Sequence, residues 1–162
     1  MTIFNEKLDL VFERNTPISS AQLWEAWTKP EILIKWFCPR PWKVTACEID
    51  LRPGGLFKTV MQSPEGQTTP ENIGTYLLVE QEKRLVWTNA MFPGFRPKPK
   101  EDFTHPAFFF VVDIRIESTE NGCRYIAHVM HQDEASKLAH EEMGFHQGWG
   151  IAYDQLIGLY AN

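Results

Sequence analysis

The sequence is poor in cysteine and has no cysteine motif. Its three cysteines, Cys38, Cys47 and Cys123, are odd in number and widely spaced, and no Cys-x-x-Cys pair occurs. No histidine follows them at zinc-finger spacing, so neither a disulfide framework nor a structural zinc site is expected. We therefore predict that the three thiols are reduced and lie in the core.

Long apolar runs and concentrated positive charge are also missing. No run of about eighteen apolar residues occurs, which argues against a membrane-spanning helix. The stretch from Met1 to Lys7 lacks the basic region and apolar segment of a secretory leader. The formal net charge is only -5, and no basic stripe is present that could neutralise phosphates. We expect a soluble cytoplasmic protein that binds neither membrane nor nucleic acid.

Motifs of common catalytic and metal sites are absent as well. There is no Gly-x-Ser-x-Gly, and Pro53-Gly54-Gly55 precedes a strand pattern, which favours a tight turn over a phosphate cradle. His128 and His131 are three apart on a predicted strand, so they point to opposite faces. His140 and His146 are six apart on a predicted helix, a poor spacing for sharing an ion. We predict no metal, no cofactor and no catalytic residue, and we favour binding over catalysis.

Aromatic residues are what the sequence has in excess. Six Trp and eleven Phe contribute to an aromatic content of 13%. So many large rings indicate either an unusually bulky core or a pocket lined with rings. The length of 162 residues fits one domain that spans residues 1–162, and no linker or repeat divides it.

Alternating apolar residues predict an antiparallel sheet. Seven strands are expected at about 7–14, 43–51, 55–62, 72–80, 84–91, 108–117 and 123–131. Short turns between successive strands favour antiparallel pairing. Within 108–117 the alternation places Asp113 on the solvent side. The proline-rich stretch 92–107 interrupts the strands and has the character of a lid or binding loop, in which His105 is expected to be solvated.

Helices are predicted at two places. Ser19 with Gln22 and Thr28 with Glu31 have capping-box spacing, so two short helices follow the first strand, the second covering 30–37. A long helix is predicted from Asp133 to Tyr160. Its apolar stripe consists of Phe145, Trp149, Ala152, Leu156 and Leu159. Glycines within it require close approach to the sheet or a bend.

Particular motifs spread along the chain resemble a known family. They are Leu23-Trp24-Glu25-Ala26-Trp27-Thr28, Trp36-Phe37-Cys38-Pro39, Asp50-Leu51-Arg52-Pro53-Gly54-Gly55-Leu56-Phe57, Gly74-Thr75-Tyr76 with Arg84-Leu85-Val86-Trp87-Thr88, and His146-Gln147-Gly148-Trp149. Together they resemble the START-like, helix-grip superfamily, often labelled SRPBCC. Within it they are most similar to the C-terminal domain of the activator of heat-shock-protein-90 ATPase. The resemblance implies an α+β fold in which a curved seven-stranded antiparallel sheet wraps around a long C-terminal helix.

A helix-grip fold leads us to expect a cavity between sheet and helix that binds a small hydrophobic molecule. The residues expected to line it are Trp36, Phe37, Trp87, Phe95, Tyr125, His128, Trp149 and Tyr153. Parity along the last strand does not choose between Tyr125 and His128 as the inner residue.

Two alternatives to simple binding stay open at this point. The cavity could host cyclase-, dehydratase- or hydrolase-type chemistry, as the resemblance implies from some members of the superfamily. His128, Tyr125 or Glu48 would then take part in the reaction. The chain could instead interact with a heat-shock chaperone, an option that depends on the resemblance alone. A homodimer is compatible with surface aromatics.

Overall fold

The computed structural model describes residues 3–100 and 108–161. The elements follow the order that the sequence pattern predicts, with two additional short strands and with two helices in place of one at the C-terminal end. In chain order the elements are β1 Asp9–Thr16, α1 Ser20–Thr28, α2 Pro30–Leu33, β2 Lys43–Ile49, β3 Leu56–Gln62, β4 Asn72–Glu80, β5 Arg84–Thr88, β6 Met91–Phe92, β7 Arg96–Pro97, β8 Phe110–Thr119, β9 Gly122–His131, α3 Glu134–Glu142 and α4 Phe145–Tyr160.

Seven strands form one antiparallel sheet in the order β1-β9-β8-β5-β4-β3-β2. Register shifts between Val44 and Ala46 in β2 and between Tyr76 and Leu78 in β4 add local bends to the sheet. The sheet curls as a half-barrel around α4, so the predicted α+β helix-grip fold is confirmed.

The first helix begins as its sequence predicts, and the second does not. The Ser19 hydroxyl accepts from the Gln22 N–H at 3.1 Å, and the Gln22 side chain accepts from the Ser19 N–H at 3.0 Å, which completes a capping box. Thr28 caps nothing, because its hydroxyl donates to the Trp24 carbonyl at 2.7 Å within α1. The second helix starts with Pro30 after an N-cap residue without a side-chain bond, and it ends at Leu33 rather than at residue 37.

The predicted C-terminal helix is two helices, and the expectation of one continuous helix over 133–160 is wrong. Gly144 has φ 92° and ψ 42°, a left-handed conformation that glycine adopts without steric cost. Its conformation ends α3 and starts α4. The stripe on α4 is buried at Phe145, Ala152 and Leu156, whereas Leu159 is exposed, contrary to prediction.

Asp113 is also placed differently from the sequence prediction. Its side chain is fully buried, although alternation assigns it to solvent. Arg84 on β5 donates to both carboxylate oxygens at 3.0 Å each, and Arg115 donates to one of them at 2.9 Å. Burial alone raises the pKa of this carboxyl, but the two arginines outweigh that effect and lower it. The carboxylate is therefore buried as the charged member of an ion network.

The region predicted as an irregular loop over 92–107 begins with structure of its own. β6 and β7 pair in a two-residue ribbon, with Gly94 and Phe95 in the turn at positive φ. The Gly94 N–H donates to the Gly54 carbonyl at 2.8 Å and joins this ribbon to the turn before β3. The expectations for residues 101–107, among them a solvated His105, lie outside the described residues.

The core lies between the inner face of the sheet and the helices. Its largest fully buried side chains include Trp27, Tyr76, Tyr125, Phe12 and Leu156. Among the described residues, no helix is both long and apolar enough to cross a membrane.

Candidate functional site

A pocket of about 330 Å³ lies between the inner face of the sheet and helix α4. Strands β3, β4, β5, β8 and β9 contribute one wall, and α1, α3, α4 and the segment after α2 contribute the other. Most of the side chains that line it are apolar. Its volume falls at the lower end of the roughly 300–1,000 Å³ typical of small-molecule sites.

Four of the six tryptophans line the pocket: Trp27, Trp36, Trp87 and Trp149. The rings of Trp27 and Trp36 meet edge to face at 5.1 Å, and Trp27 lies 6.1 Å from Trp149. Across the pocket wall, Phe57 packs edge to face against Trp87 at 4.9 Å. Rings packed at these distances restrain one another, so the aromatic wall is formed before any ligand arrives.

The segment that carries Trp36 is fastened to α4 by one side chain. The Gln155 amide nitrogen donates to the Trp36 carbonyl at 3.1 Å and to the Cys38 carbonyl at 2.9 Å. The Gln155 amide oxygen accepts from the Arg40 N–H at 2.9 Å. The Trp36 indole N–H donates to the Ala26 carbonyl at 3.0 Å. These bonds fix the position of Trp36 at the pocket without using any group that faces a ligand.

The structure brings half of the predicted site residues to the pocket, namely Trp36, Phe37, Trp87 and Trp149. Tyr125 and Tyr153 lie beside it and stack on each other, with ring centroids 6.3 Å apart. Neither tyrosine is among the lining residues. Both pack against Phe12 on β1 and belong to the core between α4 and the sheet.

Phe95 and His128 lie elsewhere, which corrects the expectation that they line the cavity. Phe95 is 49% exposed and covers Gly54, where an added Cβ would come 2.9 Å from its ring. His128 points to the opposite face of β9 from Tyr125, where its Nε2 lies 2.8 Å from a carboxylate oxygen of Asp9. Parity along β9 separates Tyr125 from His128, and the sequence alone could not say which of them faces inward.

Polar groups at the pocket were missed by the sequence analysis. The Trp87 indole nitrogen and the Asn72 amide oxygen are buried and have no hydrogen-bond partner in the described part of the chain. Lys98, from the proline-rich stretch, also lines the pocket and donates to the Ile73 carbonyl. Trp87 itself was predicted at the cavity, but its unpaired nitrogen was not, and the place of Lys98 depends on how the segment after β7 folds back to β4.

A pair of histidines at the pocket was missed too. His131 Nε2 and His140 Nδ1 lie 2.9 Å apart, and His131 Nδ1 lies 2.8 Å from the Leu8 carbonyl oxygen. His140 lines the pocket, and burial lowers its pKa to about 4. Strand alternation could have indicated one part of this arrangement, because His131 and Tyr125 are an even number of residues apart and lie on the same face of β9. Its contact with α3 was not visible in the sequence.

The residues considered for catalysis are not gathered at the pocket. Glu48 is exposed and pairs with Lys58 at 3.1 Å. Tyr125 is buried, which raises the pKa of its phenol far above the ordinary value. Burial also raises the pKa of the Cys47 thiol to about 11, so that it stays protonated at neutral pH. Within residues 3–100 and 108–161, no three His, Cys, Asp or Glu side chains are placed to hold a metal ion.

Comparison with known proteins identifies a matching family and several solved structures with the same fold. The model of the family described as Activator of Hsp90 ATPase homolog 1-like protein matches residues 17–160. A crystal structure of a protein from Nitrosomonas europaea is 42% identical, with a TM-score of 0.88, and the match covers 96% of each chain. A crystal structure from Rhodobacter sphaeroides shares the fold at 23% identity, with a TM-score of 0.81, covering 96% of this chain and 93% of that one. A comparison with curated proteins finds no match.

Proposed function

The chain belongs to the Activator of Hsp90 ATPase homolog 1-like family, within the START-like superfamily, and from this premise we propose that it is a binding protein for a small hydrophobic molecule. The ligand would occupy the pocket between the sheet and α4. The proposal takes the chain as one domain with one principal site.

The observation that carries the proposal is the tryptophan-lined pocket. Apolar surface removed from water contributes about 25 cal/mol per Å², so a flat ligand between Trp36, Trp87 and Trp149 gains affinity from contact area alone. The ring contacts hold the wall in place, which reduces the entropy lost on binding. The residues considered for catalysis support binding over turnover, because Glu48, Tyr125 and His128 are absent from the lining.

Helix α4 offers a matched pair of variants to test the site. Gly148 lines the pocket, and among the described residues a Cβ there would meet only Pro39, at an ordinary contact distance of 3.7 Å. Gly150 lies on the same helix, away from the pocket, and an added Cβ would meet no other part of the described chain within 4 Å. Gly148→Leu should therefore fill the pocket, and Gly150→Leu should change the same helix without touching it.

The experiment is a titration with the apolar fluorescent probe N-phenyl-1-naphthylamine, followed by its own emission and by the melting temperature. We expect saturable binding at one site and a stabilisation of about 2.7 kcal/mol at one hundred times Kd. Gly148→Leu should weaken binding by about tenfold or more, equivalent to losing roughly 55 Å² of apolar contact at ~25 cal/mol per Å². Gly150→Leu should bind as the wild type does.

Two outcomes would contradict this assignment. If saturating probe failed to raise the melting temperature of the wild type, the pocket would not be a hydrophobic binding site. If Gly148→Leu and Gly150→Leu bound the probe equally well, the probe would be held somewhere other than between the sheet and α4.

A further inference from the structure

One side of the pocket carries a nitrogen lone pair that no described residue uses. His140 lines the pocket, and its Nδ1 is 2.9 Å from His131 Nε2. Its other ring nitrogen, Nε2, has no hydrogen-bond partner within residues 3–100 and 108–161. An apolar ligand in the pocket would separate this acceptor from water without replacing its hydrogen bond, so a ligand that carries a donor is favoured.

We propose that His140 Nε2 is the hydrogen-bond acceptor of this pocket and that the ligand is an aromatic or similarly apolar molecule carrying a hydroxyl group that donates to it. The inference rests on the proposed function and specifies the ligand class. His131 is a positioning residue in this scheme, because it acts only through the tautomer of His140.

The tautomers follow from one fixed acceptor. The Leu8 carbonyl oxygen can only accept, so His131 Nδ1, at 2.8 Å from it, carries the proton. A neutral His131 then offers a lone pair at Nε2, and His140 Nδ1 must donate to it. The remaining nitrogen of a neutral His140 is therefore an acceptor. Burial lowers the pKa of both histidines, which keeps both rings neutral near pH 7.

Aromatic neighbours hold the His140 ring in this orientation. Phe110 stacks on it at 5.5 Å, Phe108 lies at 5.0 Å, and Phe145 meets it edge to face at 5.1 Å. Three rings and the bond to His131 leave the imidazole little freedom to flip. A ligand hydroxyl would therefore meet a preorganised acceptor rather than a mobile one.

A second unpaired polar group lines the pocket from the sheet wall. Trp87 is about nine-tenths buried, and its indole N–H has no partner among the described residues. The ring of Phe110 packs against both Trp87, at 5.8 Å, and His140. A donor on the sheet wall and an acceptor on the helix wall, both beside the Phe110 ring, favour a ligand with one polar edge.

The test uses two probes of nearly the same shape, 2-naphthol and 2-methoxynaphthalene, because only the first can donate a hydrogen bond. Their Kd values are measured for the wild type, for His140→Phe, which keeps a ring but has no acceptor, and for His140→Gln, whose amide oxygen restores one. The preference for 2-naphthol, taken as the ratio of the two Kd values, should fall about three- to tenfold in His140→Phe. It should recover in part in His140→Gln.

Nuclear magnetic resonance of the wild type gives a readout that needs no variant. Long-range proton–nitrogen spectra of the imidazoles should show both His131 and His140 protonated at Nδ1 and not at Nε2. Addition of 2-naphthol should shift the His140 Nε2 resonance, and 2-methoxynaphthalene should shift it much less.

The outcomes separate this inference from the proposed function. A proton on His140 Nε2, or an equal probe preference in the wild type and His140→Phe, would overturn the inference while leaving hydrophobic binding intact. Failure of both naphthalenes to bind at saturation would overturn the inference and the proposed function together.

Discussion

Replacing Gly144 by alanine tests whether the chain turns between α3 and α4 as described. Gly144 has φ 92°, and its backbone is held on both sides, since its N–H donates to Glu141 at 3.0 Å and its carbonyl accepts from Gly148 at 2.8 Å. Alanine therefore cannot relax into a right-handed conformation without breaking these bonds. Within the part of the chain that the structure describes, an added Cβ meets only the Gln147 side chain, at 3.5 Å, so the cost is torsional rather than a clash.

The magnitude follows from two opposing terms. A left-handed conformation costs an L-residue about 1–2 kcal/mol. Gly→Ala reduces the entropy of the unfolded chain and returns about 0.4–1 kcal/mol. We expect Gly144→Ala to lower the free energy of unfolding by about 1 kcal/mol. Gly150→Ala, inside α4 with open space around its Cβ, should raise it by about 0.5–1 kcal/mol.

Urea denaturation of the two variants measures this difference directly. In thermal unfolding, the melting temperatures of the two variants should differ by about 3–8 °C. A change of 1 kcal/mol in unfolding free energy shifts the melting temperature of a chain of this size by about 2–4 °C. A continuous helix over 133–160, as the apolar stripe alone predicts, would make both substitutions stabilising. If Gly144→Ala were as stable as Gly150→Ala, the break at Gly144 would be refuted.

Two further predictions concern buried ionisable groups. Burial lowers the pKa of His140 from its ordinary 6.5 to about 4, so the unfolded chain takes up that proton first as pH falls. Between pH 7 and 4 the wild type should lose on the order of 2 kcal/mol of unfolding free energy that His140→Phe retains; parallel pH profiles would contradict this. Asp113→Ala should cost about 2 kcal/mol in urea denaturation, because it removes the buried anion from Arg84 and Arg115, which partly reach solvent. Glu117→Ala, which breaks an exposed pair with Arg124, should cost less than about 1 kcal/mol, and equal losses would argue against the buried network.

The sheet could be predicted from the sequence because its pattern is local. Alternation over 72–80 matches β4, Asn72–Glu80, and the capping box at Ser19 starts α1 as expected. The alternation of apolar residues and the position of turn residues can be recognised within one segment, without knowing which strand pairs with it. Trp36 and Trp149 were predicted at the pocket because they belong to the large aromatic side chains that a ring-lined cavity would use.

Features that depend on a distant partner could not be predicted in this way. Asp113 is buried because Arg84 on a neighbouring strand reaches it, and alternation within β8 contains no information about that strand. The pairing of His131 with His140 depends on how α3 returns to β9. The stripe on α4 begins at Phe145, directly after the break, so the period alone does not reveal that the helix ends.

A crystal structure of the protein soaked with 2-naphthol is the most direct test of the account. We predict density for one naphthalene ring between Trp36, Trp87 and Trp149, with its hydroxyl oxygen at about 2.7–3.0 Å from His140 Nε2. A pocket left without ligand density at a saturating concentration, or a ring bound only outside the space between the sheet and α4, would contradict it.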